Sequence, residues 1–117
     1  MNTHSLEGHV KTAEIEWKPL VESGVDRKGI SVKPLRVDPA TRRAPTFLFR
    51  FEPDAAYPYH SHPAGEELFV LSGSCLIEAT TLEAGDYLYT PPGCKHAVRS
   101  QTGCTLLFQV PEEVEIL

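Results

Sequence analysis

Apolar residues in this chain come in short runs, and proline, glycine or a small polar cluster ends almost every one of them. No segment of about ten residues repeats apolar side chains at the 3.6-residue period that an amphipathic helix needs. The runs instead read as about nine short strands, the pattern of a closed all-β barrel or jelly roll. Expected strands cover residues 14–20, 30–37, 46–51, 66–71, 75–79, 86–90 and 105–110, with shorter ones at His60–His62 and from His96. Residues 23–29, 38–45 and 72–74, Thr80-Thr81 and Pro91-Pro92-Gly93 read as the connections. Pro34 marks an edge or a bulge, because proline cannot donate to a ladder.

Side chains alternate along a strand, so each expected strand can be divided into two faces. Glu66, Leu68 and Val70 share one face, and Glu67, Phe69 and Leu71 share the other. If the Leu68/Val70 face is the core, Glu66 is buried at its end and Glu67 is solvated. Phe47, Phe49 and Phe51 form one face of their strand, and Leu48 and Arg50 the other. An inward Arg50 would pair with an anionic substrate; Tyr57 and Tyr59 are candidates for packing or for a pocket mouth.

A buried carboxylate needs a cation or strong hydrogen bonds. His60 and His62 lie two residues apart, so both leave a strand on one side and can reach Glu66 across the Pro63-Ala64-Gly65 turn. His96 follows the Pro91-Pro92-Gly93 turn and enters the next strand on the same face as Val98. Imidazole and carboxylate together form a ligand set for zinc, iron or manganese. Cys94, two residues before His96, offers a thiolate, but its place in the turn disfavours it. His4 and His9 fall in a polar leader that cannot preorganise a site.

The spacing of these residues resembles the two motifs of the cupins. The first is His60-x-His62, three residues, Glu66, six residues, Gly73; the second is Gly85, five residues, Pro91-x-Gly93, two residues, His96. Two places depart from the usual pattern, with Asp54 where the first motif begins with glycine and Ser100 where the second ends with asparagine. Pro53-Asp54 still suits a turn, expected as type I. The wording from His60 to Gly73 and from Pro91 to Ala97 is similar to the cupin-like domain of ChrR-type anti-sigma factors. The resemblance implies a cupin-type double-stranded β-helix, with His60, His62, Glu66 and His96 as ligands of one divalent metal ion per chain. Zinc is the ion associated with that subgroup; iron, manganese and nickel occur in other cupins. It leaves two functions open: a small dioxygenase or related oxidoreductase acting on a small molecule, or a non-catalytic zinc-binding or ligand-sensing module.

At 117 residues, the chain is expected to be a polar, mobile leader over residues 1–12 and one barrel domain over 13–117. A net charge of −5 lacks the basic footprint of a nucleic-acid binder, and Arg42, Arg43 and Lys95 are too sparse to supply one. The longest apolar runs are far too short to span a membrane. Three cysteines without Cys-x-x-Cys spacing point away from a disulfide framework and towards a reducing cytoplasm. A homodimer is expected, because the first strand, near Ile15 and Trp17, has little chain before it to cover its edge.

Overall fold

The computed structural model describes residues 6–117; the first five residues of the expected leader, with His4, lie outside them. Ten strands run through the described residues: β1 Lys18–Glu22, β2 Val25–Arg36, β3 Thr46–Phe51, β4 Ala56–Ser61, β5 Glu66–Ile77, β6 Thr80–Glu83, β7 Tyr87–Thr90, β8 Lys95–Arg99, β9 Cys104–Gln109 and β10 Glu115–Ile116. The only helical element among them is one 3-10 turn, Thr12–Glu14. Every pairing is antiparallel, in the order β1-β2-β3-β9-β5-β8-β4-β10, with β6 and β7 also on β5. The fold is all-β, a sheet curled upon itself.

β5 is what curls it. Residues 72–74 were expected to reverse the chain, yet the strand continues through them. Its first half pairs with β7 and β9, and its second half with β6 and β8. An extra residue between Val70 and Ser72 makes a bulge, which bends a strand and raises its twist. Gly73 completes the bend at φ +73; a Cβ there would press on the Gly103 carbonyl and lie 2.8 Å from Cys104 Cα. The first-motif glycine is therefore a packing requirement of the barrel corner.

Other boundaries move for local reasons. The first strand is Lys18–Glu22, because residues 12–14 form the 3-10 turn. The expected long turn at 23–29 shrinks to Ser23-Gly24, both at positive φ, and β2 starts at Val25. The chain turns at Glu78-Ala79 rather than Thr80-Thr81. Pro34 does sit at a bulge, between β2 and β3. Asp54 takes φ +69, and Ala55 N–H donates to Glu52 O at 3.0 Å, so this turn has the positive φ of type II rather than type I. Aspartate tolerates that region better than most residues, which lets Asp54 stand where glycine was expected.

The core lies between the curled halves. Leu68 and Val70 of β5, Leu106 and Phe108 of β9 and Val98 of β8 are buried, while Glu67, Phe69 and Leu71 are exposed, as alternation requires. Ser100 is fully buried; its hydroxyl donates to Ser74 O at 2.7 Å, and its backbone exchanges hydrogen bonds with Ala55 and Asp54. Ser100 thus ties the end of β8 to the start of β4 and to β5. Ser100→Ala should lower stability by about 1 kcal/mol, read as a lower urea midpoint at unchanged slope; an unchanged midpoint would show that the bond is not needed.

Arg50 faces outward. Trp17 packs under Arg50, 4.4 Å from guanidinium carbon to ring centroid, and under Lys33 Nζ at 4.7 Å. Arg50 therefore does not reach the interior, and Trp17 is half-buried by its own chain.

Candidate metal centre

β4 carries His60 near its end, with His62 one residue beyond it; Glu66 opens β5, and His96 lies in β8. His60 and His96 are cross-strand partners. The four side chains converge, with one ligand atom from each lying within 4.8 Å of the others. All four are buried, and His62 is fully so. Glu67 stays outside and accepts a hydrogen bond from Tyr87 Oη at 2.7 Å. Cys94 and His9 are exposed and stand apart from the group.

Backbone carbonyls set the ring orientations. His60 Nδ1 lies 2.7 Å from Pro58 O, and His62 Nδ1 lies 2.9 Å from Cys94 O. A carbonyl only accepts, so each Nδ1 carries the proton and each neutral ring turns its Nε2 lone pair inward. Such carbonyl partners fix metal-binding histidines in the tautomer they need. Cys94 therefore serves through its backbone oxygen rather than its sulfur. Sequence patterns are blind to this, because any residue supplies a carbonyl.

The inward atoms lack partners. His62 Nε2 lies 3.2 Å from Glu66 Oε2 and His96 Nε2 lies 3.6 Å from Glu66 Oε1. His62 Nε2, Glu66 Oε1 and His96 Nε2 are buried without a hydrogen bond. Lone pairs and carboxylate oxygens facing one another in a buried site are costly unless a cation lies among them. The donor set, its neutral tautomers and its orphaned atoms all fit one divalent ion; the cluster could hold it.

Without metal, the titration behaviour follows from the same crowding. Burial pushes His60 down to about 4, aided by His62 and His96 and only partly opposed by the Pro58 carbonyl and Glu66. Burial also opposes charge on His62, but Glu66 and the Cys94 carbonyl outweigh it and raise its pKa. Burial acts to raise Glu66, and His62 and His96 more than reverse this, leaving its carboxyl below the ordinary value. Unfolded His60 binds a proton near pH 6.5, and folded His60 does so only near 4. The metal-free protein should therefore lose stability as pH falls through that window. His62 acts in the opposite sense above 6.5, and Glu66 adds to the acid loss below 4.5. Urea midpoints of the chelated protein at pH 6.5 and 4.5 check this; equal midpoints would refute it.

A cavity of about 190 Å³ adjoins the cluster, with His60 and Glu66 in its wall. Phe47, Phe49, Phe51, Tyr57 and Phe108 supply most of its aromatic surface. Tyr57 reaches it because β4 carries a bulge: Tyr57 and His60 are three positions apart, while their partners Val98 and His96 are two apart. Both side chains thereby turn inward, with Pro58 at the irregularity. Tyr59 is exposed. Tyr57 Oη donates to the Glu22 carboxylate, at 2.9 and 2.7 Å from its two oxygens, and Arg27 Nε donates to the same group at 3.0 Å. Burial, with Glu22 beside it, pushes the phenol up and keeps it protonated. Glu22 and Arg43, which also line the cavity, were missed from sequence because they come from β1 and a loop far from either motif.

A curled antiparallel sheet with three histidines and a glutamate gathered inside it is the architecture of a cupin. The chain belongs to the ChrR cupin-like domain family, which it matches over residues 6–112. Solved structures agree on the fold. An acetylacetone dioxygenase from Acinetobacter johnsonii is 18% identical with a TM-score of 0.81, and the match covers 100% of this chain and 82% of that one. The polyketide cyclase RemF from Streptomyces resistomycificus is 20% identical at TM-score 0.72, with 93% and 84% covered. An RmlC-like cupin protein from Ralstonia eutropha is 18% identical at 0.72; the match covers 87% of this chain and 66% of that protein's length. No curated protein matches the chain. Among the described residues no helix is long and apolar enough to cross a membrane.

Proposed function

We propose that His60, His62, Glu66 and His96 bind one divalent metal ion, and that the protein is a small metalloenzyme, a dioxygenase or related oxidoreductase acting on a small molecule in the cytoplasm. The orphaned inward atoms of His62, Glu66 and His96, beside an apolar cavity, carry this reading. The metal would supply Lewis acidity and, as iron, redox chemistry towards dioxygen. The chain's own residues do the rest. Pro58 and Cys94 carbonyls hold two rings in the neutral tautomer, and the aromatic wall gives a ligand an apolar surface beside them.

The ChrR family match supports a second reading, a zinc-binding or ligand-sensing module without turnover. Metal analysis of protein isolated from cells, joined to oxygen uptake with small organic candidates, separates the two. Iron with substrate-dependent uptake supports the enzyme. Stoichiometric zinc with no turnover supports the sensor, and no metal at all overturns both.

The homodimer is proposed on a different surface from the one first expected, since Lys33 and Arg50 cover Trp17. Phe69, Leu71, Tyr87 and Tyr89 are exposed on one outward face of β5 and β7. A second copy laid on that face would remove an apolar patch from water. Light scattering should give twice 13.0 kDa; the single-chain mass at micromolar concentration would refute the pairing.

A further inference from the structure

We infer that the cavity selects an uncharged, largely apolar ligand about the size of one aromatic ring, which presents its single polar end to the His60/His62/Glu66/His96 cluster; this rests on the metal reading above. Outside the cluster, the polar side chains in the wall are engaged within the protein or face solvent. Glu22 is occupied, both carboxylate oxygens by the Tyr57 hydroxyl and one also by Arg27 Nε. The Tyr57 proton is thereby committed and is not offered to a ligand. Arg43 donates once from each terminal nitrogen, to the Val110 and Pro111 carbonyls at 3.1 and 3.2 Å, which anchors its guanidinium on backbone. That bond pair fastens the loop before β3 to the segment after β9. Glu113 is exposed, at the solvent side.

What remains in the wall is phenylalanine, valine, leucine and alanine, together with His60 and Glu66. Among the described residues, the buried side-chain polar atoms that lack partners all belong to the cluster. A ligand with a second polar group inside the cavity would leave it unpaired, at a cost that rejects it. Size follows from the volume. About 190 Å³ holds roughly six liquid waters at about 30 Å³ each. It falls below the range of drug-sized sites, so the part of a ligand that it takes in is no larger than a fragment. An aromatic or branched body suits the tilted and edge-on rings of Phe47, Phe49, Tyr57 and Phe108.

The test uses two probes with one metal-binding head. Acetohydroxamic acid carries a methyl group and benzohydroxamic acid a phenyl ring. Cobalt(II)-loaded protein is titrated with each by calorimetry, and cobalt content is measured beforehand. Benzohydroxamic acid should bind at least tenfold more tightly. Ala44→Trp fills the cavity from a wall position outside the cluster, and should hold full cobalt while the preference falls below threefold. Val114→Trp fills it from the segment after β9 and gives the same reading if Ala44→Trp does not fold. Full cobalt with equal affinities in the wild type overturns the inference and leaves the metal site standing, as does a preference that survives in the filled variants. A wild type that retains no cobalt overturns the metal reading, and the inference with it.

Discussion

His62→Ala should lose essentially all of its metal. His62 is the fully buried member of the cluster, and its ring centroid lies 4.5 Å from that of His60 and 4.4 Å from that of His96. The ring is held from behind by the Cys94 carbonyl, and its Nε2 lies 3.2 Å from Glu66 Oε2. Alanine removes one of four ligands from a preorganised set and leaves a space that the surrounding barrel cannot close. Loss of a partner behind a ligand typically costs ten- to a hundredfold in metal affinity, and loss of the ligand itself costs more. Elemental analysis after gel filtration should give near one metal per chain for the wild type and less than about a tenth of that for the variant. His9→Ala, an exposed position outside the cluster, should keep the wild-type content. Equal metal in His62→Ala and wild type would sink the assignment.

The cluster was legible in the sequence because its members obey strand parity. His60 and His62 share a face, Glu66 follows Leu68 and Val70 inward, and His96 follows Val98. Two-residue periodicity is a local property, so a single chain displays it. The cavity was much less legible. Its shape depends on the β4 bulge, which turns Tyr57 inward out of parity with His60, and on which face of β3 is the inner one. Phenylalanines occupy one face of β3 and Leu48, also buried, lies on the other, so hydrophobicity alone could not decide. The register between β3 and β9 decides it, setting Phe47 opposite Phe108 and Phe49 opposite Leu106.

Strand continuity was the other illegible feature. Ser72-Gly73-Ser74 has the composition of a reverse turn, and in a meander it would be one. Here the bulge and the positive φ of Gly73 bend β5 between two sets of partners without reversing it. Distinguishing a bend from a reversal requires knowing that β9 pairs with the first half and β8 with the second, which is long-range information. The same limit explains Trp17. Only the pairing of β1 with β2 and of β2 with β3 brings Lys33 and Arg50 over its ring.

Chelation at pH 7 should lower the melting temperature by about 10–20 °C without abolishing the transition. A ligand that binds only the folded chain adds RT ln(1 + [L]/Kd), about 4 kcal/mol at a thousandfold excess over Kd. For a domain of this size each kcal/mol is worth a few degrees. The transition should persist because Leu68, Val70, Leu106, Phe108 and Ile30 belong to one buried apolar core that does not depend on the metal for its packing. His96→Ala should melt near the chelated wild type and respond little to chelator, since its site is already broken. Acid should mimic the chelator by competition, because only neutral rings bind metal. The order of protonation is set by the folded pKa values. His60, held down to about 4 by burial, resists protons, whereas His62, raised by Glu66 and the Cys94 carbonyl despite its own burial, takes one first. The metal-dependent part of the melting temperature should therefore be present at neutral pH and shrink as pH falls through the His62 titration. It should be small well before His60 protonates. A wild type stripped of metal yet melting unchanged would show that the cluster does not stabilise the barrel. A metal-dependent increment that stays constant down to pH 4 would show that His62 is not the ring where protons and metal compete.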